Sequence, residues 1–448
     1  MKSLYTLLFA LSIILINPWG VSRGLIWTAP KVLVICLIIA LNLSILWKKR
    51  QALTIDKSWV NSLKLWAIFI SIGAISTLAS PFPLNSFLGQ NQMGDGWLYW
   101  LLIATFTLSN TLVLKLHPEE VRSQLLGLII GGIILALSTI PQIIDWRIDY
   151  TATMGQIIRA DVNASSIFQG QQPIGLYSHR GHAAIALATI AVISLIGWRW
   201  KLTSDRFTAI ALIIITPTLI FTSTRAAILG LVIALLYKFG RQYKKLLAGV
   251  ILISSIAITG MTVTRPLDWS KPSIQQVMSS RSPMWALSLR GLKKPPLFGW
   301  GFDGFGIAYP YIRNPKKTPI VVNLDEFTYD YITINGQVRT REIPTYKAHN
   351  LILDTTLSIG ILGLISYAFL WGYYIYLAIT SFFHGMEAIA IAYLVFALTW
   401  FECAQYAHIP WWTLSIGGAF LTSNLNHKVS PHLKQLQEPK TEIAVVEP

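Results

Sequence analysis

The sequence predicts an all-α polytopic membrane protein of about twelve transmembrane helices, interrupted by one large extracytoplasmic loop. Three observations carry this reading. Of 448 residues, 53% are hydrophobic and only 12% charged, with a mean hydropathy of +0.54, which is too apolar for a soluble domain. Apolar stretches near the length needed to cross a roughly 30 Å hydrocarbon core recur along the chain. Between two of them lies a stretch of about 85 residues, Arg265 to His349, rich in Arg, Lys, Gly and aromatic residues.

Candidate spans fall at about 4–17, 31–46, 60–79, 97–114, 123–142, 182–198, 207–221, 225–239, 246–264, 350–379, 385–403 and 411–424. Several are nearer 15 than 20 residues, so their ends reach into the interface or are shielded by neighbouring helices. The first follows Met1-Lys2 in the manner of a signal peptide. Asn17-Pro18-Trp19 is a poor cleavage site, however, and further spans follow at once, so it reads as a helix.

Orientation comes from short loops, where Lys and Arg mark the cytoplasmic side. Lys48, Lys49, Arg50 and Lys57 lie in the second loop, Lys115 and Arg122 in the fourth, Arg199, Lys201 and Arg206 in the sixth, and Lys238, Arg241, Lys244 and Lys245 in the eighth. The third loop, Ser80 to Gly96, has none. Both termini are then cytoplasmic and the odd-numbered loops face the periplasm or exterior. Residues 1–448 read as a single transmembrane domain with extracytoplasmic segments at 143–181 and 265–349 and a polar cytoplasmic tail at 425–448.

The formal charge of +16 would point to nucleic acid in a soluble protein. Here most of it is cytoplasmic flanking charge, and no nucleic-acid partner is expected. The exception is the 265–349 loop, with twelve Lys or Arg against six Asp or Glu. Long loops escape the positive-inside rule, which leaves a basic, membrane-proximal surface suited to an anion. Cys36 and Cys403 fall in separate spans without any metal-binding spacing and read as small core residues.

Within the large loop, Ser282-Pro283 has the form of an N-cap and first helical residue. Trp285, Ala286, Leu289 and Leu292 then follow at helical spacing up to Pro295-Pro296. This predicts a short amphipathic helix lying on the bilayer surface. Alternating β-prone residues from Phe327 to Arg341 around Asn335-Gly336 predict a hairpin.

Candidate chemistry rests on few residues. Arg225 sits in Thr222-Ser223-Thr224-Arg225-Ala226-Ala227 at a tight turn between spans. Such an Arg can be an interfacial anchor, but the small neighbours leave room for a guanidinium to fork onto a phosphate. Arg281 precedes the predicted short helix, whose free amides also face an anion. With Arg225 it makes a candidate diphosphate clamp. His349 directly precedes an apolar span, where a His is either an interfacial residue or a general base for an acceptor hydroxyl. His179, Arg180, His182 and Arg290 are weaker candidates.

Three stretches together resemble the O-antigen ligase and O-antigen polymerase superfamily. They are Thr222-Ser223-Thr224-Arg225-Ala226-Ala227-Ile228-Leu229-Gly230, then Arg281-Ser282-Pro283-Met284-Trp285 with Pro296-Leu297-Phe298-Gly299-Trp300-Gly301, then Ala348-His349-Asn350 with Gly360-Ile361-Leu362-Gly363. The motif-bearing part covers about 220–370. The resemblance implies a GT-C-like membrane glycosyltransferase of the bacterial inner membrane with its active site facing the periplasm. It would take a glycan from undecaprenyl diphosphate and use neither metal nor nucleotide sugar nor other cofactor. The family's diphosphate-binding arginines match Arg225 and Arg281, and its loop histidine matches His349. Two departures stand out: His179 occupies the Gly175–His182 stretch where the family often has Gly and Asn, and Gly89-Gln90-Asn91-Gln92-Met93-Gly94 lacks the Arg often found there.

Metal-dependent relatives of this fold carry carboxylates in the first outer loop, and Asn17 to Lys31 has none. Asp145 and Asp149 are the nearest alternative ligands. The acceptor is a lipid A core, a growing glycan (making the protein a polymerase) or a protein hydroxyl (a protein O-oligosaccharyltransferase), with membrane lipids as further partners. A rival of another class is inorganic-carbon transport, to which some members of the superfamily are assigned. A transporter should carry charges at mid-membrane. Here Lys64, Asp354 and Glu387 lie near span ends, and Glu402 is the main exception.

Overall fold

The computed structural model describes residues 2–143, 173–240, 281–314 and 319–421. Asp145, Asp149, the 246–264 span and the 425–448 tail lie outside the described residues.

The chain is mostly helical. Six described helices are long and apolar enough to cross a bilayer. They are α2 (Ala29–Lys48, entered through a π-helical turn at Gly24–Thr28), α3 (Lys57–Leu78), α5 (Trp97–Leu116), α6 (Glu120–Ser138, continued by Ile140–Ile143), α7 (Arg180–Arg199) and α12 (Leu351–Ile379). Five further expected spans are helices of only 12 to 17 residues: α1 (Lys2–Ile14), α8 (Asp205–Phe221), α9 (Arg225–Phe239), α13 (Glu387–Leu398) and α14 (His408–Ala419). The described chain thus supplies six helices of spanning length where about twelve spans are expected. Shorter elements are α4 (Pro83–Leu88), α10 (Arg281–Gly291), α11 (Gly304–Ile312) and the strands β1 (Ile320–Asp325), β2 (Thr328–Ile332) and β3 (Val338–Glu342).

Glycines set the closest helix contacts, as expected where small residues let backbones approach. A Cβ at Gly127 or Gly131 of α6 would strike the Thr6 or Ala10 carbonyl of α1, so these two helices run side by side in the same direction. Gly132 lies against Ile190 and Gly197 against Leu125, which makes α7 antiparallel to α6. Buried amides cross-link the bundle: Gln124 donates to Asn110 at 2.8 Å, Asn110 donates to Ser415 at 2.8 Å, and Trp412 donates to Gln124 at 2.7 Å. In an apolar core each of these groups would otherwise lie unsatisfied.

α12 is not the uninterrupted helix expected at 350–379. Gly360 stands at φ 72°, a left-handed value that favours glycine. The Pro296–Gly301 segment fills the break. Trp300 and Gly301 donate to the Leu357 and Ser358 carbonyls at 2.9 Å each, and Ile361 donates to the Pro296 carbonyl at 2.9 Å. The broken helix keeps its backbone groups paired by borrowing a loop.

The loop also departs from expectation at α10. Arg281 is already helical, and the apolar residues packed on the neighbouring core are Met284, Leu287 and Leu292, while Ala286 and Leu289 are exposed. The helix rests on α11 and α12, so protein rather than a bilayer surface receives its apolar face. β2 and β3 pair antiparallel around a turn in which Gly336 has φ 74°, and β1 adds a strand that the alternation did not reveal. Leu324, Tyr329, Ile343 and Tyr346 anchor this sheet region to α11.

Candidate functional site

Helix direction decides which sequence candidates meet. Gly230 of α9 lies against the Ala392 carbonyl of α13, and Lys238 donates to the His384 carbonyl at 2.8 Å, so α9 and α13 are antiparallel. The start of α9, Arg225, therefore stands at the same end of the bundle as the residues that follow α13. There, a Cβ on Gly181 at the start of α7 would press on the Trp400 ring. His349, immediately before α12, reaches the same ring.

Trp400 is the hub. The Arg281 guanidinium carbon is 5.3 Å from its ring centre, the His349 ring 5.2 Å and the His179 ring 5.4 Å. Phe401 stacks on Trp400 and takes the edge of His349 at 4.9 Å. A guanidinium stacked on an indole keeps its in-plane N–H groups for an anion. Among the described residues Arg281 donates no hydrogen bond. Burial lowers its pKa from the ordinary arginine value, and it remains a cation.

The two histidines differ in which ring nitrogen is free. His349 Nδ1 lies 3.2 Å from the Lys347 carbonyl, which can only accept, so Nδ1 carries the proton and Nε2 the lone pair. His179 Nδ1 accepts the Gly181 amide at 3.0 Å as the N-cap of α7, so its lone pair is committed to the helix start. Burial pulls the pKa of each down to about 4. For His349 the Arg281 charge adds to that; for His179 the charge of Arg180 is the larger addition. Both are neutral near pH 7.

His349 is held from both sides in a left-handed conformation, φ 56°, costly for a residue other than glycine. Before it, Lys347 is buried and ion-paired to Asp95 at 2.7 Å and to Asp303 at 2.6 Å. Burial opposes the lysine charge, but Asp303 and Asp95 prevail and raise its pKa. Burial, with Asp303 close by, raises Asp95 against the pull of Lys347. The Ala348 amide donates to Asp354 at 2.6 Å and the Ala348 carbonyl accepts from Trp285 at 3.0 Å. After it, Asn350 caps α12 by accepting the Leu353 amide at 3.1 Å. Because Trp285 lies on α10 with Arg281, one contact ties the cation's helix to the histidine's backbone. A cavity of about 30 Å³ adjoins the ion pairs, lined in part by Asp95, Asp303, Lys347, Asp354 and Glu402. Glu402 accepts from Tyr367 at 2.5 Å and Tyr393 at 3.1 Å.

The remaining candidates take other places. Arg225 is exposed and forms no hydrogen bond or ion pair among the described residues. Arg180 opens α7 beside His179. His182 is fully buried, 3.1 Å from the Ser178 hydroxyl, in a network with Gln405 and Gln92. Arg290 donates to the Ile312 carbonyl at 3.0 Å and fastens α10 to α11. The Gly175–His182 stretch is pinned by Lys31, which donates to the carbonyls of Leu176 at 2.9 Å, Leu15 at 3.2 Å and Trp27 at 3.3 Å. Among the described residues no group of three or more His, Cys, Asp or Glu side chains is placed to hold a metal ion.

Sequence reasoning did not single out Trp400, Lys347, Asp95 or Asp303. Trp400-Phe401-Glu402 falls within the apolar run at 385–403, although an acid beside two aromatic residues at its end marks a departure from helix. Arg23, whose charge also acts on His179, lies in the connection between α1 and α2, where the sequence offers no motif that singles it out.

Compared with known families, residues 210–368 match the O-antigen ligase family model. That stretch runs from α8 into α12 and includes Arg225, Arg281, Arg290 and His349, whereas His179, Arg180, His182 and Trp400 lie outside it. No curated protein matches the chain.

Proposed function

We propose that this membrane protein, whose residues 210–368 match the O-antigen ligase family model, is a metal-independent transferase. It would move a glycan from undecaprenyl diphosphate to an acceptor hydroxyl, with the reaction at the periplasmic face. The observation that carries this reading is the seating of Arg281 and His349 on one indole, at 5.3 and 5.2 Å. A cation for a leaving anion and a neutral imidazole for an incoming hydroxyl are the two groups a glycosyl transfer to an alcohol needs.

In this reading His349 Nε2 takes the acceptor proton as the acceptor oxygen bonds to the anomeric carbon. The bond from that carbon to the diphosphate oxygen breaks, and its electron pair leaves with the diphosphate. Arg281 and Arg225 then face the developing charge, the electrostatic contribution that is often the largest in catalysis. The two arginines sit at the same end of the bundle, and bidentate forks suit a diphosphate. His179 serves better as the cap of α7 than as a base, because its lone pair is already engaged. The choice of acceptor among lipid A core, growing glycan and protein hydroxyl belongs to the same chemistry and is decided by assay.

The test is transfer by the purified full-length protein from undecaprenyl-diphosphate glycan to each acceptor class, with and without EDTA. Transfer to one class that persists in EDTA is expected. Loss in EDTA with recovery in Mg²⁺ or Mn²⁺ would overturn metal independence and direct attention to Asp145 and Asp149. Absence of transfer to all three classes would overturn the assignment.

A further inference from the structure

The end of the bundle opposite Trp400 carries a feature that glycan transfer does not use. Along the outer side of the seam where α1 meets α6 runs a groove of about 1110 Å³, slightly larger than common ligand sites, which are roughly 300–1,000 Å³. Its walls are two stripes at helical spacing, Leu7, Leu11 and Ile14 on α1 and Leu126, Ile130 and Ile134 on α6. From Lys2 to Ile14 a helix rises about 18 Å, slightly more than half of a roughly 30 Å hydrocarbon core. The groove thus has the depth of one leaflet.

Its mouth is basic. Lys2, Arg122 and Lys201 line it together with one acid, Glu119, which lies 3.3 Å from His117. Two of the cations are fixed by backbone. Lys201 occupies the left-handed position of a helix-ending turn, φ 53°, with its amide on the Trp198 carbonyl at 2.9 Å and the next amide, Leu202, on the Gly197 carbonyl at 2.9 Å. Glycine is the usual residue there, so a lysine carries a conformational cost that its place in the turn does not explain. The Leu202 carbonyl in turn accepts from Arg122 Nε at 3.1 Å, which joins both cations at the rim.

We propose that this groove binds an anionic glycerophospholipid of the leaflet opposite the His349 site, with its acyl chains along the flank formed by the two apolar stripes of α1 and α6 and its headgroup phosphate at Lys201, Arg122 and Lys2. An apolar trough of leaflet depth ending in a net positive, pre-oriented mouth fits a lipid with a charged head, and basic pockets between membrane helices take such headgroups. The site stands apart from the transfer chemistry and holds whether or not that reading does.

The test uses the full chain in mixed micelles of phosphatidylglycerol and phosphatidylcholine, with bound lipid read by native mass spectrometry. Preferential retention of phosphatidylglycerol is expected, by roughly fivefold per cation engaged. Lys201→Gly should reduce that preference by roughly this factor without lowering the melting temperature, since glycine accepts the backbone turn. Lys201→Gly combined with Arg122→Gln should reduce it by roughly 25-fold, leaving the contribution of Lys2. Equal retention of the two lipids by the unaltered protein, an unchanged preference in Lys201→Gly, or tighter retention of undecaprenyl diphosphate than of phosphatidylglycerol would each overturn the proposal.

Discussion

The guanidinium of Arg281 lies over the face of Trp400, 5.3 Å from the ring centre. A cation–π contact of this kind contributes about 0.5–2 kcal/mol, depending on how far it is desolvated. Trp400 also holds the His349 ring, so it orients both groups of the proposed transfer. Trp400→Leu should weaken binding of a lipid diphosphate by roughly 2- to 30-fold, as those energies convert, whereas Trp400→Phe should keep most of it. Unchanged binding in the Leu variant, measured by fluorescence or scintillation proximity, would mean that Arg281 needs no platform.

Arg225 and Arg281 are expected to act on the same leaving group from different elements. Ala at either position should lower transfer by roughly 10² to 10³, and Lys should restore little because it cannot form the bidentate fork. Initial rates at matched protein levels check this. Full activity of Arg225→Ala would leave Arg225 as an interfacial anchor, in keeping with its exposure and with its making no hydrogen bond among the described residues.

Lys347 should matter for stability as much as for transfer. Its two carboxylate partners are almost wholly buried, and removing one member of such a pair costs about 3–5 kcal/mol because the other charge is left uncompensated. Lys347→Met should therefore lower the melting temperature sharply. Adding Asp95→Asn and Asp303→Asn should recover much of the loss. If the triple variant melts no higher than Lys347→Met, the ion pairs are not what the lysine supports.

The depressed pKa values of His179 and His349 give a pH dependence with a definite sign. Folded values of about 4 against about 6.5 in the unfolded chain mean that the unfolded state binds more protons between those limits. Stability from these residues is present in full above about pH 6.5 and is lost as pH falls toward 4. A thermal scan in that window should show a decline that His179→Gln with His349→Gln flattens. An equally steep decline in the double variant would assign it to other groups.

Much of this architecture was legible in the sequence, and the gaps have physical causes. Apolar runs located the described helices because hydrophobic length is a one-dimensional signal, yet 350–379 concealed a break. One glycine among apolar residues does not announce that Pro296–Gly301 will fill the gap. Alternation revealed β2 and β3, while β1, mostly exposed with an irregular register between Val321 and Asn323, has no clean period. Spacing misplaced the buried face of α10, since Met284 and Leu287 rather than Ala286 and Leu289 meet the core. Arg281 and His349 were visible through their motifs. Their meeting on Trp400 was not, because it depends on the end of α13 reaching the start of α12 across about 50 residues of sequence.

If His349 acts as base while the arginines hold the lipid diphosphate, binding and turnover measured on one purified His349→Ala preparation will part from each other. Loss of a general base predicts transfer lower by roughly 10² to 10⁴, with lipid-diphosphate affinity within about twofold of the unaltered protein, as for a residue making no ground-state contact. Lost affinity with unchanged turnover per bound lipid, or no change in either quantity, would contradict this role of His349.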